Sequence, residues 1–137
     1  MEQTFAVIKP RAFKENLAGA ILNMITSGGF KLSAIKSLKL DESQAEKLYG
    51  LHNTKSFYPE LIQFITSGPV IVMVLEKENA IEDFRKLIGN TNPEKAEAGT
   101  VRRLFGLDKT KNAIHAADSP ENAKREIDLF FSREEMV

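Results

Sequence analysis

Thr4 to Ile8 is a short apolar run ended by Lys9-Pro10, the pattern of a buried strand, because proline stops the ladder and keeps its predecessor extended. Leu17, Ile21, Met24 and Ile25 then recur at helical spacing, and Gly28-Gly29 supplies the stop. From Phe30 to Leu40 apolar and polar residues alternate, which predicts a long second strand with a phase slip near Ile35. Two short helical patterns follow, one on Ala45, Leu48 and Tyr49, the other on Leu61, Phe64 and Ile65 ending at Gly68. They predict a helical hairpin inserted between strands. Pro69 to Leu75 is apolar on both faces and rich in β-branched residues, as a central strand covered on each side should be. Asn79 is placed to cap a helix whose buried face is Ile81, Phe84 and Ile88.

Residues 90–113 show no sustained period, and a stretch of that length inside a small domain points to function. A short strand over Ala113 to His115 precedes a helix opened by Ser119-Pro120, whose core face is Ala123, Ile127, Phe130 and Phe131. The order is βαββαβ: an α+β, ferredoxin-like sandwich with one helical layer, an inserted helical hairpin and a long loop before the last strand. No linker or internal repeat divides the chain, so residues 1–137 read as one domain. Such a fold hosts many activities and assigns none of them.

Composition narrows the choice. Nineteen basic residues balance nineteen acidic ones, so no overall positive field draws the chain to nucleic acid or an anionic membrane. Any bound anion must be held by a local cluster. There is no cysteine, which excludes thiol catalysis, thiolate zinc sites and disulfides. The first residues do not read as a signal peptide, and Val70 to Leu75, the longest apolar run, is too short for a bilayer, so a soluble cytoplasmic protein is expected.

His115, at the end of a short strand before a capped helix, is where a reacting side chain belongs; imidazole attacks phosphorus at neutral pH and can pass the phosphate on. Lys9, Arg85, Thr91 and Arg102 come from separate segments and suit a triphosphate, arginine as a fork and lysine as a point charge. Four solvated surface residues would give the same spacing, and periodicity does not decide. Glu126, eleven residues after His115, could return to fix its tautomer, and Phe57 could stack on a base. His52 is assigned no chemistry.

Five segments carry a resemblance: Thr4-Phe5-Ala6-Val7-Ile8-Lys9-Pro10, Thr66-Ser67-Gly68-Pro69-Val70, Gly89-Asn90-Thr91-Asn92-Pro93, Gly99-Thr100-Val101-Arg102, and Asn112 to Glu121. In order and spacing they resemble the nucleoside diphosphate kinase family over nearly the whole chain. The resemblance implies a ping-pong transfer of the γ-phosphate of a nucleoside triphosphate to a nucleoside diphosphate through phospho-His115, maintaining triphosphate pools. It implies that Lys9, Tyr49, Arg85, Thr91, Arg102 and Asn112 surround the phosphates, that Phe57 and Leu61 clamp the base, and that Glu126 orients His115. Mg2+ would ride mainly on the nucleotide phosphates without a protein metal site, and the assembly would be a homo-oligomer with no membrane or specific nucleic acid partner.

Two departures stand out. Ala117 lies where the family usually has a serine hydroxyl beside the histidine, and Arg103-Leu104 replaces its usual Gly-Asp. The competing readings are a binding module with weakened catalysis and an RNA-binding domain of the same fold class. The second would need exposed aromatics on central strands and a basic surface.

Overall fold

The computed structural model describes residues 1–137, the side chain of Leu51 excepted. Its centre is a four-stranded antiparallel sheet in the order β2-β3-β1-β4, built from β1 (Glu2–Ile8), β2 (Lys31–Leu38), β3 (Val70–Lys77) and β4 (Ile114–Ala116). The two runs apolar on both faces, β1 and β3, take the central places. The alternating β2 lies at an edge.

Strand alternation sorts the core into two halves. Phe5, Val7, Val70, Val72 and Val74 pack with α3 (Glu42–Tyr49), α4 (Tyr58–Ile65) and α7 (Pro120–Phe130). Ala6, Ile8, Met73 and Leu75 pack on the opposite face with α2 (Ala18–Ser27) and α5 (Ala80–Ile88). The fold is therefore ferredoxin-like as expected, but the single helical layer is corrected: the inserted hairpin and the last helix cover the second face. The cause is in the sequence, since β3 is apolar at every position from Val70 to Leu75 and both faces need burial.

Three local expectations also change. The slip in β2 lies between Leu32 and Ala34, where the register shifts, so Ser33 is the extra residue of a bulge. Pro10 ends β1 and also opens a short helix, α1 (Pro10–Lys14), at the position where a missing N–H costs nothing. Asn79 precedes α5 in left-handed geometry, φ 57°, and its side chain caps no backbone group. Glu2 Oε1, from the start of β1, accepts from Ile81 N at 2.9 Å and ties the first turn of α5 to the sheet.

The aperiodic segment is compact. It contains a 3-10 turn (Pro93–Lys95) and α6 (Val101–Phe105), whose N-cap Thr100 accepts from Arg103 N. Val101 and Arg102 are buried. Asp41 and Gln44 form a reciprocal capping box on α3, and Ser119 caps α7 through Asn122 N.

Candidate active site

Pairing of β1 with β4 sets the geometry. Val7 lies opposite His115, and Lys9 N donates to Ala113 O at 2.9 Å, so the residue after β1 meets the residues before the histidine. Ala113, two residues before His115, holds φ 80°, a conformation that costs a residue with a Cβ. All ten side chains singled out from the sequence, Lys9, Tyr49, Phe57, Leu61, Arg85, Thr91, Arg102, Asn112, His115 and Glu126, line one cleft of about 430 Å3. They come from the residue after β1, from β4, from α3 to α7 and the residue before α4, and from the aperiodic segment.

His115 Nε2 stands 2.7 Å from Glu126 Oε1, so the return of α7 onto β4 makes the expected carboxylate contact. Glu126 is buried, whereas the imidazole is partly open to the cleft. Tyr49 stands edge-on to the imidazole with centroids 5.3 Å apart, and Phe5 closes another side at 6.3 Å. The ring can neither tilt far nor rotate freely.

The cations are held by neutral groups. Lys9 Nζ donates to Asn112 Oδ1 at 2.8 Å and Thr110 O at 3.2 Å. Arg102 donates to Gly89 O at 3.0 Å and Ile114 O at 2.9 Å, and Arg85 to Ala116 O at 3.4 Å. None of the three has a carboxylate within ion-pair distance among the described residues. Burial, then the charge of Arg102, pushes Lys9 down to about 7, with Asp108 opposing. Burial and Arg85 push Arg102 down to about 10. Two buried polar atoms here, Arg102 Nε and Tyr49 Oη, have no hydrogen-bond partner. The cleft thus has spare positive charge and spare donors, the complement of a multiply charged anion.

Asn112 is a hub: its amide nitrogen donates to Thr91 O at 3.1 Å and Lys109 O at 3.0 Å while its oxygen accepts from Lys9. Both amide hydrogens are committed to the protein, which leaves its oxygen as the atom that can also meet a ligand. Phe57, about half exposed at 45%, and Leu61, buried, form the apolar end. Arg103 donates to Glu94 O at 3.0 Å and pins the aperiodic segment, while Leu104 points outward.

Sequence reasoning missed Asp118, Asn122, Arg125, Lys109, Thr110 and His52, which line the same cleft. His52, left without a role, stands 6.0 Å from Phe57 between ring centroids. Asn122 lies one helical turn before Glu126, so the period of α7 carried a usable signal for it, whereas Asp118 precedes the cap of that helix. Lys109 and Thr110 had none, because no period runs through their segment.

Among the described residues no group of three or more His, Asp or Glu side chains could hold a metal, and no helix is long and apolar enough to cross a membrane. The model of the family described as nucleoside diphosphate kinase matches residues 2–136. A nucleoside diphosphate kinase of Geobacter sp. (strain M21) is 49% identical over 137 residues, all of both chains. One from Persephonella marina is also 49% identical, over all of this chain and 98% of its own. Among solved structures, the Aquifex aeolicus nucleoside diphosphate kinase superposes with TM-score 0.96 at 41% identity, covering 99% of each chain. The Halobacterium salinarum enzyme in complex with CDP gives 0.95 at 38% identity, over 99% of this chain and 91% of its own.

Proposed function

The chain belongs to the nucleoside diphosphate kinase family, whose members transfer phosphate between nucleotides through a phosphohistidine, and we propose that in this member His115 is the phosphate carrier. Glu126 holds the proton on one ring nitrogen and leaves the lone pair on the other. That nitrogen attacks the γ-phosphorus of a bound triphosphate: an N–P bond forms, the bond to the β-phosphate oxygen breaks, and the diphosphate leaves with the electron pair. A second diphosphate reverses the step, its terminal oxygen taking the phosphorus and returning the lone pair to His115.

Lys9, Arg85 and Arg102 neutralise the charge spread over the transferring oxygens, and Tyr49 Oη and Arg102 Nε, which have no partner among the described residues, are placed to donate to the ligand. Thr91 and the Asn112 oxygen stand beside Lys9 to meet the sugar and phosphates. The observation that carries this reading is the coincidence of a carboxylate-held imidazole with three cations that have no carboxylate partner.

Mg2+ fits as a companion of the phosphates. Of the carboxylates lining the cleft, Glu126 is taken by His115, so Asp118, held by Asn122 at 2.7 Å, is the one that would help to hold the ion. When bound, the ion supplies charge neutralisation on the phosphate oxygens. Phe57 and Leu61 hold the base by stacking and apolar contact, which any base satisfies, and the CDP complex of the halophilic relative agrees with a seat open to pyrimidines. The chain works in the cytoplasm as a homo-oligomer.

Incubation with γ-labelled ATP should place acid-labile, base-stable phosphate on the protein and release it to an added diphosphate. His115→Ala should take no label. Full labelling of that variant, or label on Ser119, would exclude His115 as the carrier.

A further inference from the structure

Glu126 Oε1 faces His115, and something must hold the carboxylate in that pose. The adjacent residue of α7 does so from an unusual anchorage. Arg125 Nη1 donates to Lys47 O at 2.5 Å and Nη2 to Leu48 O at 3.4 Å. Both carbonyls belong to the last turn of α3, where backbone oxygens lack helical partners and a cation suits the helix dipole. Arg125 Nε donates to Asn122 Oδ1 at 3.4 Å, and Nη2 also stands 3.5 Å from Glu126 Oε2, the oxygen that does not meet His115.

We propose that Arg125 is a positioning residue for phosphate transfer: anchored on the carbonyls at the end of α3, its guanidinium holds the second oxygen of Glu126 and so keeps the first on His115. The inference rests on His115 being the carrier. A guanidinium is suited to this because its rigid fork serves two carbonyls and a carboxylate at once, which a lysine point charge cannot do. Ala117, on the chain between His115 and α7, offers Glu126 no hydroxyl, so this chain leans on the arginine. The other charged or titratable groups around the pair are His115 on β4, Tyr49 on α3, and Arg102 on α6 with Arg85 on α5 beyond it. Of these, Arg102 is committed to the carbonyls of Gly89 and Ile114 and Arg85 to that of Ala116, so neither is bonded to Glu126.

The test compares R125Q and R125K with wild type in first-turnover labelling by ATP, alongside 15N NMR of the His115 ring. R125Q should fold as wild type, because the side chain is partly exposed, and should be labelled roughly tenfold more slowly, the loss typical of an outer partner of a working imidazole. Nucleotide KM should move by less than about twofold, since Arg125 acts on the transfer rather than on uniform binding. The ring, held as one tautomer in wild type, should become a mixture in R125Q, and R125K should recover part of the rate. In an E126Q background R125Q should add little, its target being gone. Labelling of R125Q at the wild-type rate overturns the assignment. So does slow labelling with the wild-type tautomer intact, which would reduce Arg125 to a helix cap. A wild-type chain that takes no label on His115 would instead overturn the carrier reading itself.

Discussion

Lys9 shows how one residue joins fold to chemistry. It is 4% exposed, bound to Asn112, and pressed down to about 7 by burial and by Arg102. At about pH 8 the empty site therefore holds Lys9 mostly neutral, and an arriving polyphosphate favours the charged form. The sign follows: binding raises the Lys9 pKa, so the protein takes up a proton. Titration calorimetry with a nucleoside diphosphate at that pH, in buffers of different ionisation enthalpy, should give an uptake approaching one proton per site, and Lys9→Gln should abolish it. Phe57 offers a second test at this scale. Because it presents a half-exposed ring and no buried polar edge to the base, Phe57→Ala should raise KM for ADP, GDP, CDP and UDP alike, by roughly fivefold for about 1 kcal/mol of stacking. An effect confined to purines would mean that a base-reading group is at work, and His52 beside it would be the first place to look.

Among the elements, the segment between α5 and β4 was legible as functional but not as structure. It lacks a period because its order comes from side chain to backbone bonds, Arg102 to Gly89 and Ile114, Asn112 to Thr91 and Lys109, Arg103 to Glu94. Arg11 adds another by donating to Phe105 O at the end of α6. Such bonds leave no repeat in the sequence. Gly89 is the tightest point: it has φ +89°, its carbonyl holds Arg102, and a Cβ there would stand 2.6 Å from Thr100 Oγ1, the cap of α6. Gly89→Ala should therefore cost on the order of 1–3 kcal/mol in a denaturant titration and also raise nucleotide KM, because the displaced carbonyl anchors Arg102, the arginine proposed to meet the phosphates. A stable variant with ordinary KM would show that the segment can yield without moving Arg102.

Across the whole molecule, formal neutrality conceals a local imbalance, with Lys9, Arg85, Arg102, Lys109 and Arg125 in one cleft against two carboxylates, Asp118 and Glu126. Attraction of nucleotides is thus a short-range property that salt will screen only partly, since Lys9 and Arg102 are buried. Coverage of both sheet faces changes the ground for assembly. The helices fill both faces, which leaves the sheet edges: at one of them, β2, Ile35 is 43% exposed and one backbone carbonyl, Ser33 O, is taken by Val137 N. Light scattering at micromolar concentration should still show a homo-oligomer, since an edge with free backbone groups is a pairing surface. A monomer would show that the edge is sufficiently protected by its charged side chains and the chain end.

The sequence by itself determined the strands, the helices with strong apolar periods, the βαββαβ order and, through the resemblance carried by five motifs, ten of the residues that line the cleft. These are properties of local spacing and residue chemistry. Tertiary structure decided what depends on two distant segments meeting: that α3, α4 and α7 close the second face, that Glu2 rather than Asn79 caps α5, and that Ser33 is the bulge. It also decided that Arg125 on α7 reaches the carbonyls of Lys47 and Leu48. A guanidinium seventy-seven or more positions from its acceptors has no signature along the chain, because only folding brings the backbone carbonyls of one helix end within reach of another helix's side chain.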